Sequence, residues 1–286
     1  MAGARRAAGA AVVAVALTAA LAACGGGSGG RPAAGATAVP STASPSASAS
    51  KPADRSPQGV LLSAEQVLES ARRAKVSYRF DSPDGTSDSA FGVLYWAPRT
   101  IMQLTKTNPG ATDQLIVMDT VAYQGGDAAT AARLGGKHWQ KTAEVYGPDG
   151  RPETPFAALV DQLNPLQAVT AAAGAGDLEK LGEEKVGDQT AEHYTATVTV
   201  ADYAAAQQNL LTADRRAQLA TTLGQGGVST LTLDLWLNDK DQLIQLQRSG
   251  TGSKDELVQL VQYSEFGGQL AVTAPAEDDT QDLGGS

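Results

Sequence analysis

Any chemistry this chain performs has to come from a short inventory. It carries two histidines, His138 and His193, and one cysteine, Cys24. His193 alternates with Tyr194 and Ala196, which on a strand turns it toward solvent. His138 adjoins Trp139 near a strand end. Neither stands among His, Cys, Asp or Glu residues at metal-ligand spacing, so no metal is expected. No strand-to-helix turn carries a Gly-x-Ser-x-Gly elbow that would present a serine nucleophile. Gly25–Gly30 precedes no strand–helix unit and does not read as a phosphate loop. The carboxylate pairs Glu183-Glu184 and Asp278-Asp279 lie in polar sequence and read as solvated. Acid–base work would need surroundings that push their pKa values apart. The residue types point away from catalysis, and no cofactor is implied.

The one thiol has a different use. Arg5 and Arg6 give a positive start, and a run from about Ala10 to Leu21 is apolar apart from Thr18. It falls short of the roughly 20 apolar residues that a lasting membrane span needs and reads as a targeting signal. It closes on Leu21-Ala22-Ala23-Cys24, which resembles the bacterial lipobox, where the thiol is joined to a diacylglyceryl group. Cys24 is therefore the predicted lipid-attachment site, and residues 1–23 are the predicted lipoprotein signal peptide. Lipidation also explains a lone cysteine in an exported chain. Two or more acyl chains anchor stably where one does not. The implied partner is a membrane, with the chain held on the extracytoplasmic face of the cell membrane.

Residues 24–57 are Gly-rich, then Ala/Ser/Pro/Thr-rich, with almost no large apolar side chains. They cannot bury enough surface to offset ordering and read as a flexible tether. Residues 276–286 are acidic and Gly-ended, and read as a disordered tail. Between them, 58–275 is about 220 residues, enough for one sizeable core. The net charge of −9 becomes −11 once Arg5 and Arg6 leave with the signal. That balance argues against nucleic acid, whose phosphates need a basic surface, and against strong adsorption to anionic headgroups.

Within the domain, the Ser63/Gln66 capping-box pattern and the stripe Ala64, Val67, Leu68, Ala71 predict a helix to about Ala74. Strands are expected at 75–82, 87–96, 99–107, 112–123 and near 138–141, separated by Pro, Gly and Asn turn signals. Thr154-Pro155 starts a helix carrying Phe156, Leu159, Val160 and Leu163 at i, i+3, i+4 and i+7. Asn164-Pro165 restarts it into Leu166, Val169 and an Ala-rich stretch. A strand at 191–200 places Tyr194 and Val198 on one face. Two short helices follow at 201–211 and 213–223. The clearest strand, 228–237, alternates Leu231, Leu233, Leu235 and Leu237 with Thr230, Thr232, Asp234 and Trp236, a mostly polar face. It turns into 242–249, where Ile244 and Leu246 share a face. The last strands are expected at 258–266 and 270–273, although Ser253 and Glu256 also allow a helix from Lys254. The sum is an α+β architecture, a large antiparallel sheet with helices across one face.

Several of these residues carry a resemblance. Leu21-Ala22-Ala23-Cys24 precedes a tether, and Gly136-Lys137-His138-Trp139 opens a strand. Asn164-Pro165 opens the central helix, and Leu231–Leu237 ends in a polar turn. Tyr263-Ser264-Glu265-Phe266-Gly267 closes the sheet, with Val272 and Pro275 beyond. In that order they resemble the LppX/LprG lipoproteins of actinobacteria and, more distantly, the LolA-like carriers, over about Leu61 to Pro275. The polar insertion from Tyr146 to Glu153 departs from the pattern. The resemblance implies a curved half-barrel sheet whose concave face is covered by helices. It also implies an apolar cavity between them for acyl chains of lipids or glycolipids, a cell-envelope carrier role without covalent chemistry, and a possible envelope transporter as partner. Each buried methylene contributes roughly 0.8 kcal/mol, so an aliphatic wall alone could hold a chain. The expected wall is Leu231, Leu233, Leu235, Ile244, Leu246, Tyr194 and Val198 from the sheet. Phe156, Leu159, Val160, Leu163, Leu166 and Val169 face it from the helices. The alternative is a filled core serving a protein-interaction or sensor module.

Overall fold

The structure is a computed structural model that describes residues 54–81, 85–108, 111–142, 145–147, 150–251 and 256–282. Cys24, the expected signal and nearly all of the expected tether lie outside them.

The described chain opens with helix α1 (Pro57–Ala71), followed by strands β1 (Arg73–Asp81), β2 (Ser87–Tyr95), β3 (Ile101–Asn108), β4 (Ala111–Met118) and β5 (Val121–Gly125). Helix α2 (Ala128–Arg133), β6 (Trp139–Thr142) and the small hairpin β7 (Val145–Tyr146) and β8 (Pro152–Glu153) come next. Helices α3 (Ala157–Leu163) and α4 (Pro165–Ala173) lead to β9 (Glu179–Val186) and β10 (Gln189–Thr199). Helices α5 (Val200–Ala206) and α6 (Ala213–Leu223) precede β11 (Thr230–Leu237), β12 (Leu243–Thr251), β13 (Glu256–Ser264) and β14 (Thr280–Asp282).

Among the described residues, 12 strands form one open sheet in the order β14-β6-β5-β4-β3-β2-β1-β13-β12-β11-β10-β9. Neighbours are antiparallel except β14, which runs parallel to β6. Two meanders, β1 to β6 and β9 to β13, are joined where β1 pairs with β13, opposing Val76 to Tyr263 and Tyr78 to Val261. One face of the central strands is apolar, following the alternation of side chains. Val76, Tyr78 and Phe80 of β1, Leu94 of β2, Leu231, Leu233 and Leu235 of β11 and Val261 of β13 all enter one core cluster. Helices α1, α3, α4, α5 and α6 pack Leu68, Leu163, Val169, Tyr203 and Leu219 into the same core. This is the expected α+β fold, a large antiparallel sheet with helices.

Helix α1 starts earlier than the Ser63 signal suggested. Ser56 caps it by accepting from the Gly59 N–H at 3.1 Å, with Pro57 in the first turn, a pairing suited to a helix start. It also ends earlier, at Arg72 in the left-handed region (φ 61), so β1 begins at Arg73. Helix α3 begins at Ala157, not at Thr154-Pro155, because Phe156 adopts a left-handed conformation (φ 57) just before it. Three elements carry little sequence signal. Strand β9 is an edge strand whose residues are mostly exposed. Helix α2 is one short stretch capped by Asp127. Strand β14 lies in the tail expected to be disordered, where Thr280 pairs with Trp139 and Gln281 with Gln140. The expected strand at 270–273 is irregular, whereas 256–264 is a strand and not the competing helix.

Candidate functional site: the seam between helices and sheet

The sheet side of the seam is built by strict alternation on β10, β11 and β12. Tyr194 pairs with Leu235, Ala196 with Leu233 and Val198 with Leu231, while Leu235 in turn pairs with Leu246. The helix side comes from α4. Asn164 accepts from the Leu166 N–H at 3.1 Å and Pro165 takes the first turn. A helix that is apolar nearly all round must be buried, and every residue of α4 except Thr170 is. The helix lies against β10, β11 and β12.

The structure brings Tyr194, Val198, Leu231, Leu233, Leu235, Leu246, Val160, Leu163, Leu166 and Val169 into a single cluster. Leu159 is partly buried against it. The seam itself is closed. Tyr194, Leu163, Val169, Leu231, Leu233, Leu235 and Leu246 are each 0% exposed, so no water-sized space touches them. The layers part at one margin. There, between the end of α4 and the start of α5, a groove of about 300 Å³ is lined by Ala171, Gly174, Ala175, Gly176, Val198 and Thr230 among others.

Two expected wall residues are elsewhere. Ile244 does not share a face with Leu246. A bulge between Trp236 and Leu237 pairs Leu237 with Leu243, leaving one extra residue on β12. An extra residue re-aims the side chains beyond it, and Ile244 packs with Ala191 and Trp236 in a separate small cluster. Phe156 is 39% exposed, since its left-handed turn precedes the helix instead of riding on it.

The seam also holds a polar network. Arg248 of β12 is 0% exposed. Its Nη1 donates to the Tyr203 hydroxyl at 3.1 Å and its Nη2 to the Gln162 carbonyl at 2.5 Å. Gln259, opposite Arg248 on β13, donates to Gln162 Oε1 at 2.6 Å. Tyr263 donates to the Leu163 carbonyl at 2.9 Å. Burial pushes the Tyr203 and Tyr263 phenols up, against the lowering charge of Arg248. Nearby, Asp161 on α3 pairs with Arg215 of α6, whose Nε donates at 3.2 Å, and accepts from Gln167 at 3.2 Å. Burial pushes the Asp161 carboxyl up to about 6, against the opposing pull of Arg215 and Gln167. Sequence reading missed this network, yet its signal was present. Arg248 is in phase with Leu246, and Gln259 with Val261.

The opposite face of the sheet holds a second cluster. The His193 ring stacks on Trp236 with centroids 4.2 Å apart. His193 Nδ1 lies 2.9 Å from Glu184 Oε1 and Nε2 lies 3.0 Å from Asp234 Oδ1. Trp236 Nε1 donates to Glu184 Oε2 at 2.9 Å. The bonds from Trp236 and His193 hold the Glu184 carboxyl below its usual range. Both ring nitrogens are therefore engaged by carboxylates. His193 does lie on the outer face, but under Trp236 it is 7% exposed. His138 meets Asp279 at 2.8 Å and helps hold the tail against β6. Among the described residues no His, Cys, Asp or Glu group could hold a metal ion, and no helix is long and apolar enough to cross a membrane.

No family model matches the chain. It is 30% identical over 253 residues to a Streptomyces griseus protein named "Uncharacterized 31.2 kDa protein in rplA-rplJ intergenic region", spanning 80% of this chain and 79% of that one. It is 28% identical over 261 residues to a Streptomyces coelicolor protein named "Putative lipoprotein", spanning 88% and 81%. Among solved structures it is similar to LprF from Mycobacterium bovis, with TM-score 0.47 and 14% identity over 77% of this chain and 97% of that one. It is similar also to the Mycobacterium tuberculosis lipoprotein LppX, with TM-score 0.47 and 10% identity over 76% and 98%.

Proposed function

The chain belongs to the family of the 31.2 kDa Streptomyces griseus protein, and we propose that it is a membrane-anchored envelope lipoprotein that carries acyl chains of lipids or glycolipids between its sheet and its helices. Residues 1–23 are the export signal, Cys24 takes the lipid, and the segment behind it tethers a domain on the extracytoplasmic face. A relative named as a lipoprotein supports the anchor. The observation that carries the binding reading is the aliphatic seam itself. Leu231, Leu233, Leu235 and Leu246 pack in one cluster with the alanine-rich helix α4, and at Val198 and Ala171 a groove parts the layers. The role is non-catalytic: extraction, shielding and delivery. A transporter of the envelope is the natural recipient.

Because the seam is closed, binding requires α4 and α5 to move off the sheet. Lipid extracted from the full-length chain after mild-detergent purification, together with uptake of a fluorescent acyl probe, tests the reading. Stoichiometric lipid is expected, and Val198→Trp, which fills the groove, is expected to reduce uptake. Absence of both lipid and uptake would sink it. The inaccessible wall residues favour a second reading, a protein-interaction or sensor module with a filled core. That reading predicts a lipid-free chain and no effect of Val198→Trp on probe binding.

A further inference from the structure

The acyl-binding reading uses the leucines of the seam and leaves its one fully buried cation without a task. Arg248 makes no ion pair among the described residues. Its identified partners are all neutral: the Tyr203 hydroxyl, the Gln162 carbonyl and the Tyr203 ring, whose centroid lies 5.7 Å from the guanidinium carbon. Its Nε–H is buried and has no acceptor. Across the strand pair, Gln259 Oε1 is buried and has no donor. The carboxylate of Asp161 is already committed to Arg215 and Gln167. Removing a guanidinium from water is strongly unfavourable unless a counter-charge and a full set of acceptors replace the solvent. The planar fork of an arginine matches the two oxygens of a carboxylate or a phosphate. An unpaired arginine at this depth therefore lacks an anion.

We propose that Arg248 receives the acid group of the cargo, so that the ligand is an anionic acyl lipid and not a neutral one. The inference rests on the acyl-binding reading above, and it adds the chemical class of the headgroup. The position fits. Arg248 pairs with Leu233 on one side and Gln259 on the other, on the face that carries Leu246. A chain lying along Leu231, Leu233 and Leu246 would bring its head to the guanidinium once α5, carrying Tyr203, lifts. The acid oxygens would then take the Nε–H and the donors now given to Tyr203 and Gln162.

Matched pairs of competitors test this on the full-length chain in mild detergent, with a bound fluorescent acyl probe. One pair is palmitate and hexadecanol; the other is dipalmitoyl phosphatidate and dipalmitoylglycerol. The members of each pair share their acyl chains and differ in the acid group. In at least one pair the acidic member should displace the probe at least ~10-fold more effectively, as a charge-assisted hydrogen bond implies. Preference in the first pair alone identifies a carboxylate, and in the second alone a phosphate. Arg248→Gln should erase the preference, read as the ratio of acidic to neutral competitor within each pair, and Arg248→Lys should keep part of it. A purely structural arginine would not alter the ratio of acidic to neutral competitor. Both variants are checked for a native thermal transition. If Arg248→Gln does not fold, Arg248→Lys decides, since loss of the fork should lower the ratio several-fold. Equal displacement within both pairs, or a preference that survives substitution, overturns the assignment of Arg248 and leaves acyl binding standing. Failure of all four lipids to displace the probe, or of the probe to bind, overturns both.

Discussion

Asp161 offers the sharpest test of the energetics under the helices. Its carboxyl is nearly inaccessible, and burial lifts its pKa from 3.8 to about 6 even with Arg215 beside it. A shift of about 2 units at 1.36 kcal/mol each amounts to roughly 3 kcal/mol of differential interaction. The sign follows from proton linkage. The folded pKa lies above the unfolded one, so between these values the folded state binds more protons. The stabilisation is therefore fully present below about pH 3.8 and is lost as pH rises through about 6. The substitution Asp161→Asn keeps the shape and removes the titration. Urea unfolding of both proteins from pH 4 to pH 8 isolates this group. Carboxyls held low by their bonds, such as Glu184, Glu192 and Asp279, are common to both chains and cancel in the difference. The variant should nearly match the wild type at pH 4 and exceed it by up to roughly 3 kcal/mol at pH 8. If Asp161→Asn is instead the less stable protein at pH 8, the Arg215 attraction outweighs desolvation and the reasoning fails. Parallel curves would mean that the carboxyl does not titrate in this range.

Other outcomes follow from burial and geometry. Leu233→Ala, at the centre of the seam, should cost about 2–5 kcal/mol in denaturant unfolding, whereas Phe91→Ala, at a side chain 56% exposed, should stay within about 0.5 kcal/mol. A β-carbon on Gly92 would lie 1.8 Å from the Gln103 carbonyl oxygen, so Gly92→Ala should disrupt β2–β3 pairing and cost at least about 3 kcal/mol or prevent folding. His193→Ala removes the partner shared by Glu184 and Asp234 and should cost about 1–3 kcal/mol, measured by thermal or urea unfolding. Cys24→Ser should move the protein from the membrane to the soluble fraction, and full retention in membranes would contradict the anchor.

Much of the architecture was legible because two-residue periodicity is hard to disguise. The leucines of β11 fix a face, and Asn164-Pro165 marks a helix start by capping chemistry. The failures have physical causes. Ile244 was placed by strict alternation, which a single bulge beside Trp236 overrides. Phe156 belongs by spacing to a helix started at Thr154-Pro155, a start signal that the chain declines by turning left-handed one residue before α3. Strands β9 and β14 are edge strands, and an edge needs no apolar face to be paired. The buried network escaped notice for another reason. Arg248 and Gln259 obey the alternation of their strands, and only the habit of reading charge as surface hid them.

That network bears on how a closed seam could open. An apolar jigsaw resists separation through many small contacts, each lost outright when the layers part. Hydrogen bonds behave differently, since each contributes only about 0.5–1.5 kcal/mol net and can be replaced by a bond to water or to a ligand. The links from Gln162, Leu163 and Tyr203 to Arg248, Gln259 and Tyr263 tie α3 and α5 to β12 and β13. These are contacts that a polar headgroup could substitute as it enters. A chain of about 14 methylenes would bring about 11 kcal/mol of burial with it, set against the aliphatic contacts it displaces. Opening is therefore least costly when polar head and hydrocarbon arrive together. In that case Arg248 and the groove at Val198 are two ends of one path, and substitutions at either should alter the rate of uptake before they alter the stability of the fold.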